Sequence, residues 1–342
     1  MASAGGSLPR YIAQRLLLII PMVFLLTTIV FLLLRVAPGD PVSASLGGRL
    51  SEDALDQRRA SLGLDRPLIV QYLEYLKDVA TFNFGETITD NRAIIDIVQE
   101  NGGATLTLAV SAFIVALVVG LPLGMIAGRM RDTGPDLVIR IFGVITYAAP
   151  VFYWGLLFQL LFAGALGWLP VSGAASPETI FEVEPVTHIL LLDAVIAGNS
   201  EAIVDILEHL LMPAATLGLL LSGIFIRLVR VNVIQSLQGD YIEAARARGI
   251  RESRVIRSHA FRNALVPVVT VIGLQVALLL SGAILTEATF NWPGIGNELV
   301  QYINNRDYAA VQGIITLFAV VVVLVSILID IVNALIDPRV RY

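Results

Sequence analysis

The stretch "DYIEAARARGIRESRVIRSHAFRN", Asp240 to Asn263, sets six arginines against three acids, Asp240, Glu243 and Glu252. Apolar runs long enough to cross a bilayer lie on both sides of it. The whole chain has 342 residues, 56% of them hydrophobic and only 15% charged; a soluble domain carries roughly 25% charged residues. Six runs approach or exceed the ~20 apolar residues that a membrane helix requires: about 11–34, 104–128, 138–163, 210–229, 266–285 and 310–332. The fold expected is an all-α polytopic membrane protein with six transmembrane helices, and the charged stretch is the connection between the fourth and fifth. The first run is too long for the apolar core of a signal peptide and lacks a small-residue cleavage site, so it is expected to be retained.

Composition excludes several chemistries. There is no cysteine, and the three histidines, His188, His209 and His259, form no HExxH pattern. Disulfides, thiolate metal sites and metal-assisted hydrolysis therefore lack a signature, and no metal or cofactor is expected. There is no GxSxG nucleophile motif. The single lysine, Lys77, follows Leu76, whereas an ATP-binding P-loop requires Gly-Lys-Ser/Thr. If ATP drives this protein, another subunit must bind it.

Basic residues set orientation. With the N-terminus in the cytoplasm and six spans, 15 of the 23 basic residues fall inside and 21 of the 28 acidic residues fall outside. Both termini are then cytoplasmic, and 37–102 and 167–209 are extracytoplasmic. In the first of these loops Leu68, Tyr72, Tyr75 and Leu76 recur at helical spacing, which predicts a short amphipathic helix. In the second, "HILLLDAVIAG" is too short to span, and Ser200 is expected to cap a helix running into "ILEHLLMP".

Within the opening stretch, Gly239 breaks the preceding helix and Asp240 is placed to cap the next one. Glu243 stands at the third position after it, a capping-box arrangement. Gly249 fits the residue that closes a helix in the left-handed conformation. The short helix between them presents small residues, Ala244, Ala245 and Ala247, flanked by Tyr241, Arg246 and Arg248. A topology anchor needs arginines alone. A capped helix with small residues and a glycine stop suits a groove on another protein. A basic helix–turn–helix could contact nucleic acid, but tethering between two spans leaves it little reach into a DNA groove.

Other polar or small residues in the spans are few. Gly120, Gly124 and Gly128 recur every four residues, which permits close helix packing within the chain or against another subunit. Gln159, Gln275 and Glu287 are the candidates for lining a pathway, because a polar side chain near lipid is expected to face protein or a cavity. No ladder of acids crosses the membrane, which argues against an ion-driven carrier, and no nucleophile or acid pair supports an intramembrane enzyme.

Glu243, Ala244, Ala245 and Gly249 match the spacing of the "EAA…G" signature of binding-protein-dependent ABC transporter permeases, and the continuation "HAFRNALVP" (259–267) is similar to their dipeptide, oligopeptide and nickel branch. "RVAPGDP", "LGLDRPLIVQY", "TEATFNWPGIGNEL", "NRDYAAVQG" and the terminal "DPRVRY" resemble the same branch, and the long loop after the first span resembles the first of its two permeases. The resemblance implies a type I importer permease in the cytoplasmic membrane of a prokaryote. Its partners would be a second homologous permease, two cytoplasmic ATPases and an extracytoplasmic solute-binding protein. The segment 240–249 would be the coupling helix seated in an ATPase. The organisation implied is 1–36 for the N-terminus and first span, 37–103 for an extracytoplasmic domain, 104–334 for a five-helix permease domain and 335–342 for a cytoplasmic tail. The solute would be a di- or oligopeptide, with nickel chelates, glutathione or another small solute as alternatives.

Overall fold

The computed structural model describes residues 8–36, 41–46, 51–61, 63–256 and 283–336, with single positions 261, 264, 268, 271, 275 and 279 between them. The predicted span 266–285 and the tail from 337 onward therefore lie largely or wholly outside the described residues. Apart from turns and one isolated bridge between Glu86 and Ala93, regular structure among them is helical. In chain order the helices are α1 (Leu8–Val36), α2 (Pro41–Leu46), α3 (Glu52–Ser61), α4 (Leu68–Ala80), α5 (Ile94–Arg129), α6 (Gly134–Ala148) and α7 (Val151–Phe158), the last continued by a π-helical segment, Gln159–Ala165. Then come α8 (Pro177–Glu182), α9 (Leu190–Ala197), α10 (Ser200–Leu237), α11 (Asp240–Ala247), α12 (Glu252–Arg254), α13 (283–290), α14 (Ile295–Asn304) and α15 (Tyr308–Ile336).

Four helices, α1, α5, α10 and α15, are long and apolar enough to span a membrane. A fifth candidate is broken: α6 and α7 with its π segment meet at 102°. The uninterrupted span expected over 138–163 is thus corrected. Pro150 has no N–H and crowds the residue before it; Ala149 takes the extended conformation (φ −79°, ψ 142°) and the chain turns. Two further boundaries move. Helix α5 starts at Ile94, ten residues before the expected span, so the division between 103 and 104 cuts through a continuous helix. Helix α10 starts at Ser200 inside the expected loop, and its cap is Asn199, whose side chain accepts from the Ala202 N–H at 3.0 Å, not Ser200.

The centre is the α5–α10 seam. A Cβ on Gly120 would lie 2.6 Å from Phe225 Cβ, on Gly124 2.7 Å from Val229 Cβ and on Gly128 2.8 Å from Val233 Cβ. Each glycine meets the residue 105 positions later, so the helices run parallel with a fixed register. The three glycines face α10 of the same chain. Gly218 completes the seam from the other side, its Cα facing the Ala112 carbonyl and Val115. Backbones can approach this closely only where side chains are absent, and dispersion across the seam holds the pair in lipid.

The remaining elements dock at its edges. Tyr72 and Tyr75 of α4 pack on Phe31 of α1, and their hydroxyls pair with Thr28 Oγ1 at 2.7 Å and Thr316 Oγ1 at 2.6 Å. The predicted amphipathic helix thus lies across α1 and α15. At the far end of these two helices, Arg15 pairs with Asp330 at 3.2 Å, giving the intramembrane acid a partner. The starts of α5 and α15 share one apolar cluster, Ile94, Ile97, Ile295, Leu299, Val311 and Ile314, with α14. That end of the molecule is the α14 face. The start of α1, the turn between α5 and α6, and α11 lie at the opposite end, the α11 face.

Candidate functional site

Helix α11 begins after Gly239, which is extended (φ −80°, ψ 145°) with the Tyr241 ring beside it; a Cβ at Gly239 would be 2.5 Å from Tyr241 Cε1. Gly239 is the N-cap and no side chain caps the helix. The expected Asp240–Glu243 capping box is therefore not made. With the cap one residue earlier, Asp240 and Glu243 stand in the first turn and favour the helix through its dipole alone. The other end follows expectation in detail. Gly249 is left-handed (φ +71°), its N–H bonds the Arg246 carbonyl at 2.9 Å, and Ile250 N–H reaches back to Ala245 O at 3.2 Å. This is a Schellman closure, with Ile250 folding onto the helix as that motif favours.

Two faces result. Ile242 and Ala245 are buried with Val255 against Leu237 and Ile250. Tyr241, Glu243, Ala244, Ala247, Arg248 and Gly249 are exposed, as is Asp240 at the start. Two expectations are corrected. Ala245 belongs to the buried face and not to the presented surface. Arg246 is engaged inside the chain, its Nε and Nη2 donating to Glu252 at 3.1 and 2.7 Å across the loop that Gly249 creates. Those hydrogen bonds hold the Glu252 carboxyl below its ordinary range. What remains is a thin, tethered helix whose outward face has small residues in the middle and two acids, Asp240 and Glu243, and one base, Arg248, at the rim.

Of the pathway candidates, Glu287 is fully buried and fully engaged. Its Oε1 accepts from Thr105 Oγ1 at 2.7 Å, and Oε2 accepts from the N–H groups of Gly296 at 2.7 Å and Asn297 at 3.1 Å. Thr105 in turn accepts from Ile295 N–H at 2.9 Å. The carboxylate closes the start of α14 against α5, so its place is structural. Gln159 is a strut as well, its amide donating to the Val171 and Thr289 carbonyls at 2.9 and 3.1 Å. Gln275 differs: it is buried, lines a cavity of about 900 Å³ beside α6 and α10, and its Oε1 has no partner among the described residues. No group of metal-ligating side chains occurs among the described residues.

Two polar centres were missed. Asp307 is buried and accepts from Ile88 N–H (2.7 Å), Thr89 N–H (2.8 Å), Thr89 Oγ1 (2.9 Å) and, as cap of α15, Ala310 N–H (2.9 Å). Asp136 at the start of α6, also buried, holds Arg230 of α10 in a bidentate pair at 2.6 and 2.8 Å. The capping half of Asp307 was readable, since the acid stands immediately before an apolar helix. Its loop partners lie about 218 residues away and carried no signal.

The binding-protein-dependent transport system inner membrane component family matches residues 120–342, and the N-terminal family of the same transport systems matches residues 8–109. The chain is 39% identical to the di/tripeptide transport system permease protein DppB of Pseudomonas aeruginosa, over 97% of this chain and 98% of that one. It is 37% identical to the dipeptide transport system permease protein DppB of Escherichia coli K12, over 97% and 99%. The glutathione transport system permease protein GsiC of another Escherichia coli strain is 32% identical over 97% and 99%. With two family models tiling most of its length, four long apolar helices and relatives matched nearly end to end, this chain belongs to the family of binding-protein-dependent transport system inner membrane components.

Proposed function

We propose that this chain is the first permease subunit of an ATP-driven importer of dipeptides and short oligopeptides, and that α11 is the element that docks in an ATPase. The observation that carries the reading is α11 itself: a helix closed at a fixed length by Gly249, anchored by Ile242 and Ala245, with small residues facing out. The matched relatives named for dipeptide and di/tripeptide transport favour peptides, and the lower identity to the glutathione permease makes that solute the second reading. A second permease, two ATPases and a solute-binding protein complete the machine. The α11 face is cytoplasmic in this proposal, because most arginines gather there.

The test is uptake of a radiolabelled dipeptide into proteoliposomes holding the complete complex, with the binding protein outside and ATP inside. Uptake that persists without ATP and follows an imposed ion gradient would overturn the reading in favour of a secondary carrier. Because the chain has no cysteine of its own, sidedness is open to direct test: Ser61→Cys should react with an impermeant maleimide on intact cells and Ser236→Cys should not. The opposite labelling inverts the orientation.

A further inference from the structure

The cavity beside α6 and α10 has a chemistry that neither the fold nor the α11 site uses. Asp136 lies level with Arg230, and Gly223 packs on Gly143 and Tyr147, a Cβ on Gly223 falling 2.5 Å from the Gly143 carbonyl. The two helices are therefore antiparallel here, and levels along the cavity can be assigned. Arg140, Arg227 and Arg230 line the end toward the α11 face. Val144, Tyr147 and Gly223 line the wall one to two turns further in, and Gln275 lines the cavity as well.

Charge at the arginine end does not cancel. Arg230 is neutralised by Asp136. Arg140 stands 3.6 Å from the same carboxylate, whose oxygens are already held by Arg230 and the Asp132 N–H. Asp132 pairs with Arg131. Arg227 has no ion-pair partner among the described residues. Four arginines thus face two acids, leaving an excess of two positive charges at the mouth of a mostly apolar cavity, where low-dielectric walls focus the field on anions. On the same cavity, Gln275 is 4% exposed with an acceptor oxygen that nothing described satisfies. A buried carbonyl left without a donor is unfavourable, and none of the described residues supplies one, which points to a donor brought by a solute. At about 900 Å³ the cavity falls in the 300–1,000 Å³ range of small-ligand sites.

We propose that this cavity is a transit site for a solute with a free carboxylate and an N–H donor: Arg227 and Arg140 take the carboxylate, and Gln275 Oε1 accepts from the N–H. The inference rests on the peptide-importer reading and adds to it which chemical ends of the solute the permease itself handles.

Two measurements test it in the assembled complex. The first needs no solute. Val144→Cys, in the otherwise cysteine-free chain, is exposed to a sulfonate-bearing and to a trimethylammonium-bearing methanethiosulfonate. The sulfonate reagent should react at least several-fold faster, and adding Arg140→Gln and Arg227→Gln should bring the ratio near one. Equal rates in the unmodified background, or faster reaction of the cationic reagent, overturn the anion site. The second is dipeptide uptake alongside binding-protein-stimulated ATP hydrolysis. Gln275→Leu and Arg227→Gln should each lower uptake about five-fold or more while stimulated hydrolysis continues, and Arg227→Lys should restore most of the loss. Wild-type uptake by Gln275→Leu and Arg227→Gln overturns the proposal. Failure of the unmodified complex to take up dipeptide sinks the importer reading instead and leaves the reagent ratio to judge the cavity.

Discussion

On the α14 face the carboxylates of Glu287 and Asp307 are buried, and every oxygen of both accepts a hydrogen bond from elsewhere in the chain. On the α11 face the side chains of Glu243, Arg248 and Arg227 are exposed and make no hydrogen bond among the described residues. The same residue types serve opposite ends. A buried carboxylate ringed by N–H donors locks a loop to a helix start. An exposed charge beside a capped helix or a cavity leaves its interaction energy for another molecule. The first set of charges is satisfied within the chain, and the second set is left, in the importer proposed above, for a partner or a solute.

The sharpest way to break this contrast is at Gly249. In its left-handed conformation nothing lies within 4 Å of where a Cβ would sit, so a side chain there strains the backbone by roughly 1–2 kcal/mol and enters the space of a docked partner. Gly249→Asp should reach the membrane at normal levels, lose peptide uptake altogether and fail to retain the ATPases in a pull-down. Retained ATPases with normal uptake would leave α11 as a topology anchor and erase the distinction between the faces. The converse probe is Asp307→Ala, which orphans three backbone N–H groups and the Thr89 hydroxyl. Each buried orphan costs about 1–3 kcal/mol, so the variant should accumulate several-fold less protein and melt earlier in detergent, while what does assemble still binds its ATPases. Glu287→Gln keeps one acceptor oxygen and should be milder, a stability loss of about 1–2 kcal/mol. Unchanged melting of both variants would show that the α14 face does not depend on these carboxylates.

The smallest effect belongs to the Arg246–Glu252 clasp. Glu252 is held below its ordinary carboxylate range in the folded state, so its contribution is full above that range and fades as pH falls through the depressed value. Both groups are solvent-exposed, and exposed pairs are weak and screened by salt. Glu252→Gln should leave uptake and melting at pH 7 nearly unchanged, with any difference from wild type shrinking further below the carboxylate range. A large loss at pH 7 would mean that the clasp, and not Gly249, sets the shape of the docking surface.

How much of this could be read from the chain follows from distance. Four of the expected spans were legible because apolar length is a local property, and α11 because glycines punctuate it at both ends. The shift of its cap from Asp240 to Gly239 was not, since an extended glycine can cap without a side chain. The polar first turns of α5 and α10, with Asp96, Glu100, Glu201 and Asp205, read as loop because composition hides a helix that projects beyond lipid. The break at Ala149–Pro150 was signalled by the proline, but not its angle. Apart from the Asp307 cap on Ala310, the networks of Glu287 and Asp307 join residues from 9 to 219 positions apart, and only the assembled fold brings those together.

The glycine ladder has a mechanical consequence. Side chains that interlock at three successive turns resist both sliding and rotation, so α5 and α10 behave as one double-walled beam. Helix α10 spans 38 residues, about 57 Å at 1.5 Å per residue, and α11 hangs from its end. A tilt of only one degree carried along its full length displaces the opposite tip by about 1 Å, with Pro213, which donates no ladder hydrogen bond, a point along α10 at which it can bend. In the importer proposed here, stiffness of this kind would carry a small displacement at one membrane surface to the other.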